Sequence, residues 1–168
     1  GVMEKIFAPW RAQYILSNSD DKEKIDGCIF CEFPKRDEDE KRMIIERGKY
    51  CFVIMNAYPY NPGHLMVVPY RHTCDVTSLS VEELAEMTAL MQKCVKALTK
   101  LMAPHGFNIG MNLGKVAGAG IDQHLHMHIV PRWNGDTNFM PVVGEVRVLS
   151  ESLASTYSRI KAIWPTIE

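Results

Sequence analysis

The chain has 168 residues, the span of one domain, and at that length roughly 68–70% of the unfolded surface is buried without disulfide staples. Hydrophobic residues at 46% and charged residues at 23% exclude a disordered chain. Nineteen basic residues against 20 acidic ones exclude a strong global field for nucleic acid, and no apolar run reaches the ~18 residues of a membrane span.

Gly1 to Arg11 lacks a basic stretch followed by an apolar one, so no secretory signal is expected there. The five cysteines, an odd number, then point to reduced thiols and a cytoplasmic protein. Cys28 and Cys31 stand at C-x-x-C spacing. Residues 35–42 are all charged, with both signs, and read as a solvated loop. Short apolar runs follow as strands: Met43-Ile44-Ile45, Cys51 to Met55 and Leu65 to Val68. Between the last two, Asn56 to Gly63 carries two prolines and a glycine, which demand a loop.

Val81 to Met102 reads as the main helix. Ser80 is its N-cap and Glu83 completes a capping box. Leu84, Met87, Met91, Cys94, Val95, Leu98 and Met102 form one apolar stripe, and Pro104 and Gly106 stop the helix. Phe107 to Leu113, His124 to Val130 and Glu145 to Leu149 read as further strands, and about Ser150 to Ile163 as a second helix. Short turns between strands imply a mostly antiparallel sheet, hence an α+β fold.

The chemistry concentrates in His124-Leu125-His126-Met127-His128-Ile129. On a strand the three imidazoles share one face and the apolar residues the other, with neighbouring imidazoles ~6.5–7 Å apart. A polar face with incidental histidines, a three-histidine metal site and nucleophilic catalysis at phosphorus all fit this row. Neutral imidazole attacks phosphorus near pH ~7 and leaves it again, so a covalent intermediate is accessible. The glycine-punctuated loop Asn112 to Gly120 enters the row and favours the catalytic reading, since its small residues let backbone N–H groups approach an anion.

The row resembles the His-φ-His-φ-His-φ signature of the histidine triad (HIT) superfamily of nucleotide hydrolases and nucleotidyl transferases. Asn56 eight residues before His64, Pro62-Gly63-His64, and Asn112 before the glycine loop match in the same order. Ala8-Pro9-Trp10-Arg11, the Cys28/Cys31 pair and Pro131 to Phe139 are similar to the prokaryotic Fhit-like branch, which includes diadenosine tetraphosphate phosphorylases. The resemblance implies one HIT domain over residues 1–168, with His126 attacking the α-phosphate. It implies that His128 donates to a phosphate or leaving oxygen, that His124 is the first member of the catalytic row and that His64 sits at its edge. It also implies that Asn56 holds a ribose hydroxyl and Asn112 a phosphate or leaving-group oxygen. One departure stands out. Ala117-Gly118-Ala119-Gly120 replaces an Ala-Gly-Gln run, so backbone N–H groups around Gly118 to Gly120 are expected to take over an amide's phosphate contact.

Cys28 and Cys31 have redox, metal-binding and incidental readings. Pro34 and the charged run argue against a thioredoxin-type site. Two histidines complete a tetrahedral Cys₂His₂ zinc set. His72 is one candidate, and the resemblance implies His124 as the other. His105, after Pro104 at a helix end, reads as a surface residue. The resulting expectation is a zinc-stiffened enzyme cleaving diadenosine polyphosphates, with a nucleoside phosphoramidase and a non-catalytic nucleotide sensor as rivals. The resemblance further implies a homodimer. Trp10, Tyr58 and Trp133 are candidates to stack on a base, though each also suits packing.

Overall fold

The structure is a computed structural model that describes residues 27–119, 124–136 and 152–168. The expectations placed on Ala8 to Arg11, Gly120, Thr137 to Phe139 and Glu145 to Leu149 lie outside the described residues. Among the described residues, five strands form one sheet: β1 (Ile44–Arg47), β2 (Cys51–Met55), β3 (Leu65–Pro69), β4 (Gly106–Gly110) and β5 (Met127–Arg132). Their spatial order is β1-β2-β3-β5-β4, with every neighbouring pair antiparallel. The α+β expectation therefore holds.

Among the described residues, four helices accompany the sheet: α1 (Ile29–Glu32), α2 (Asp39–Arg42), α3 (Val81–Met102) and α4 (Leu153–Ile163). The capping box forms as read: the Glu83 N–H donates to Ser80 Oγ at 3.0 Å, and the Ser80 N–H to Glu83 Oε1 at 2.9 Å. Helix α3 buries Met87, Leu90, Cys94, Ala97 and Leu98 against one face of the sheet, together with Tyr157, Ile160 and Trp164 from the α4 region. Leu84, expected in the stripe, is exposed because the contact face is centred one residue row away, on Leu90 and Ala97. The other face of the sheet is covered by Phe30 and Phe33, packed on Phe52, Ile54, Met66 and Val68. Strands β2 and β3 are thus buried on both faces, which is why they read as unbroken apolar runs.

The charged run 35–42 departs from the solvated-loop reading. It contains α2, and Arg42 is buried with its guanidinium 4.8 Å above the Phe33 ring and 3.1 Å from Glu38. An arginine can do this because its planar head stacks on an aromatic face while pairing at its edge. The histidine strand also starts later than expected. Pairing begins at Met127, so His124 to His126 lead into β5 rather than lie within it. Strand β4 ends at Gly110, not Leu113.

Parity on the strands places the site. Leu65, Val67 and Ile129 point to α3, so Met66 and His128, paired across β3 and β5, point to the opposite face. His64 enters β3 on that same face.

Candidate active site and metal centre

Residues Asn61 to His64 form the turn that delivers His64 to β3. Gly63 adopts φ +83°, and a Cβ there would meet Met102 Sδ at 2.8 Å, so both conformation and space call for glycine. The buried His64 ring then reads out its own tautomer. Its Nδ1 lies 3.4 Å from the Tyr60 backbone N–H, which can only donate. Asn56 Nδ2 lies 3.3 Å from the same nitrogen. The amide orientation of Asn56 is fixed in turn, because its Oδ1 accepts the Tyr58 N–H at 2.8 Å. His64 Nδ1 is therefore the acceptor, and Nε2 carries the proton that it donates to His128 Nδ1 at 2.9 Å. In the neutral ring this leaves the His128 proton on Nε2. Burial, reinforced by His126, lowers the His64 pKa to about 3, which keeps the chain in this polarity.

His126 has the opposite tautomer. Its Nδ1 lies 2.8 Å from the His124 carbonyl oxygen, which can only accept, so Nδ1 carries the proton and Nε2 the lone pair. The His126 and His128 rings meet edge to face with centroids 4.7 Å apart. That is closer than an ideal strand spacing gives, because His126 precedes the paired part of β5. One half-buried imidazole with an Nε2 lone pair thus sits beside one with an Nε2 proton.

His124 is turned away from that pair. Its Nε2 donates to the Pro69 carbonyl at 2.7 Å, which directs the Nδ1 lone pair at two thiols. Cys28 Sγ is 3.3 Å from that Nδ1, Cys31 Sγ 3.5 Å and His72 Nδ1 3.1 Å; Cys31 and His72 are 3.4 Å apart. All four donor atoms lie within 4.8 Å of one another. A tetrahedral zinc with bonds of ~2.3 Å to sulfur and ~2.0–2.1 Å to nitrogen places N and N ~3.3 Å apart and S and N ~3.6 Å apart. The donor spacing fits such an ion. Burial pushes the Cys28 thiol up to about 12 even though the Cys31 backbone N–H pulls it down, and a coordinated cation would reverse that cost by stabilising the thiolate. Cys51 and Cys94 are buried elsewhere, in the α3-side core, and Cys74 is exposed.

Of the expected nucleotide contacts, Asn56 is buried and bonded to Tyr58 and His64 as described. Asn112 is half-buried just past β4. The glycine loop differs from expectation. It folds into a 3₁₀ turn at Lys115–Ala117, and the N–H groups of Gly118 and Ala119 donate to Lys115 O and Gly114 O. Those donors are spent inside the loop instead of lining an anion site. His105 is exposed, as expected, and accepts the Asn134 N–H at 2.8 Å.

Several partners were not legible in the chain. Asn61 donates to the Pro131 carbonyl at 2.8 Å and to Asp136 at 2.7 Å, tying the His64 turn to the end of β5. Asp136 also pairs with Arg132 at 2.7 Å. Burial pulls the Asp136 carboxyl up, but Arg132, the Trp133 N–H and Asn61 together hold it below its usual value. Backbone carbonyls carry no sequence signature, so the anchors at Pro69 and His124 were out of reach.

The HIT domain family matches residues 36–135. Over 96% of this chain and 85% of the relative, the sequence is 37% identical to a protein of Mycobacterium tuberculosis named AP-4-A phosphorylase. It is 29% identical, over 77% of the chain and 97% of the relative, to adenosine 5'-monophosphoramidase hnt1 of Schizosaccharomyces pombe. A solved Zn-bound histidine triad family protein from Mycobacterium smegmatis superposes with TM-score 0.66 at 28% identity, covering 83% of this chain and 94% of that one. With 100 of its 168 residues matched and the paired histidines in place, the chain belongs to the HIT domain family.

Proposed function

We propose that the whole chain is one HIT domain that cleaves diadenosine polyphosphates at an α-phosphate through a nucleotidyl-histidine. One observation carries this reading: the two adjacent imidazoles have opposite, backbone-anchored tautomers. His126 Nε2 attacks phosphorus, so an N–P bond forms while the P–O bond to the leaving nucleotide breaks. His128 Nε2–H donates to the departing oxygen. The His126 proton stays on Nδ1 and is donated to the His124 carbonyl oxygen, whose partial negative charge offsets the positive charge of the nucleotidylated ring. Inorganic phosphate or water then attacks the same phosphorus and releases His126. Phosphate is favoured as acceptor because the relative that aligns over nearly the whole chain is named a phosphorylase. Asn112 is assigned to a phosphate or leaving oxygen and Asn56 to the ribose edge, where its bonds to Tyr58 and His64 also fix the His64 ring. Gly120 is proposed to offer its backbone N–H to the phosphates, while Gly118, whose N–H is held by the Lys115 carbonyl, shapes the turn before it. The phosphoramidase named at 29% identity supports a second reading with an amine leaving group.

Cys28, Cys31, His72 and His124 would hold one zinc. Bound there, the ion cross-links the chain and stabilises the fold. The four donors and the Zn-bound neighbour support it. A homodimer is proposed as well, supported by edge strand β4, whose Ile109 is 41% exposed. No described helix is long and apolar enough to cross a membrane. The near-neutral charge supports the absence of a nucleic-acid partner, and the reduced thiols support a cytoplasmic location.

Product analysis with diadenosine tetraphosphate tests the reaction. ADP plus ATP, dependent on inorganic phosphate, is the expected outcome. AMP plus ATP means water is the acceptor. Two ADP contradicts attack at the α-phosphate. Turnover confined to an adenosine phosphoramidate establishes the second reading.

A further inference from the structure

Phe30 is the second of the two apolar residues between Cys28 and Cys31 and is almost fully buried. Its ring lies against two imidazoles. The His126 ring is 5.0 Å away, tilted by 43°, and the His124 ring is 5.6 Å away in an edge arrangement at 68°. The segment between the thiols therefore reaches past the metal donors to the nucleophile. A second link runs the same way, since the His126 Nδ1–H is held by the carbonyl of His124, a residue whose ring faces the thiols. Two of the contacts on His126 thus originate in the metal centre. An imidazole that must present Nε2 to phosphorus has two ring flips and several χ1 wells to choose from. A buried aromatic ring tilted against it at 5.0 Å narrows the alternatives, and the carbonyl selects the flip.

We propose that Phe30 is a positioning residue for His126, so that the Cys28/Cys31 knuckle orients the catalytic nucleophile as well as holding a metal. The inference rests on the assignment of His126 as nucleophile and extends it. In this role Phe30 acts through His126. It narrows the orientations of that ring.

The test compares wild-type protein with Phe30→Leu and Phe30→Tyr. Cobalt(II) replaces the native metal in each, and its tetrahedral absorption bands report whether the Cys₂His₂ donors are intact. Phe30→Leu is expected to keep those bands and to keep KM for diadenosine tetraphosphate. Its kcat should fall about threefold to tenfold, the worth of one aromatic contact in orienting a ring. Phe30→Tyr should recover most of that loss. A second readout needs no substrate. At about pH 8, where imidazoles are neutral, ¹⁵N NMR of labelled histidines separates the Nδ1–H and Nε2–H tautomers. Wild-type His126 should be one species, protonated at Nδ1, and Phe30→Leu should show a mixture. A kcat equal to wild type with a single Nδ1–H species in Phe30→Leu would overturn the proposal. So would a loss confined to KM. If no dinucleotide is turned over by the wild type, the assigned reaction fails, and the tautomer comparison alone still decides the role of Phe30.

Discussion

Acidification should destabilise this protein through His64, and the size follows from its burial. The ring is fully enclosed between Asn56, Tyr60 and His128, and its pKa falls from 6.5 in the unfolded chain to about 3 in the fold. A folded-state value below the unfolded one means that the unfolded chain binds the extra proton. Stability is then fully present above about pH 6.5 and is lost progressively as pH falls toward about 3. Each unit within that window costs about 1.4 kcal/mol, so about 2 kcal/mol disappears between about pH 7 and about pH 5. For a chain of this size that is a Tm shift of roughly 4–8 °C. The assay is thermal unfolding across that range for wild type, His64→Gln and His64→Asn. Both amides keep a donor and an acceptor but do not titrate. Other acid-sensitive groups, the thiol–histidine centre included, contribute to all three proteins and cancel in the difference. The variants should start less stable at neutral pH and lose about 2 kcal/mol less on acidification. Parallel pH curves for wild type and both variants would refute the reasoning.

Three further outcomes are expected. His126→Asn should lose turnover by more than the ~10²–10⁴-fold of a missing acid–base group, while a nucleotide still binds with near-normal Kd in calorimetry. Elemental analysis of protein purified without chelator should find about one zinc per chain, and Cys28→Ser should lose both the zinc and several degrees of Tm. Ser80→Ala removes the acceptor of the Glu83 N–H at the head of α3 and should cost about 1 kcal/mol in denaturant unfolding, with catalysis unchanged.

Some of this protein is written in local chemistry. Helix α3 announces its start because Ser80 and Glu83 satisfy each other within one turn, and its end because Pro104 cannot extend it. The alternation His124 to Ile129 fixes which side chains face the core, since period two is a property of extended backbone. The spacing of Cys28 and Cys31 fixes that two thiols lie together; His72 is a candidate partner from the sequence, whereas His124 is the partner that the family resemblance implies. Other features depend on groups far apart in the chain. That His64 donates to His128 is decided by the register Met66–His128 and by a Tyr60 N–H. That His126 presents Nε2 is decided by a neighbouring carbonyl, and every residue but proline has the same backbone groups. Arg42 reads as solvated because its neighbours are charged, yet tertiary packing places Phe33 beneath it. Glycines 114 and 118 looked like an anion cradle, but only the folded turn shows which carbonyls capture the loop's N–H groups. Residue types and spacing determine which chemistry is available, whereas proton positions and ring orientations follow from long-range contacts that exist only once the sheet has formed.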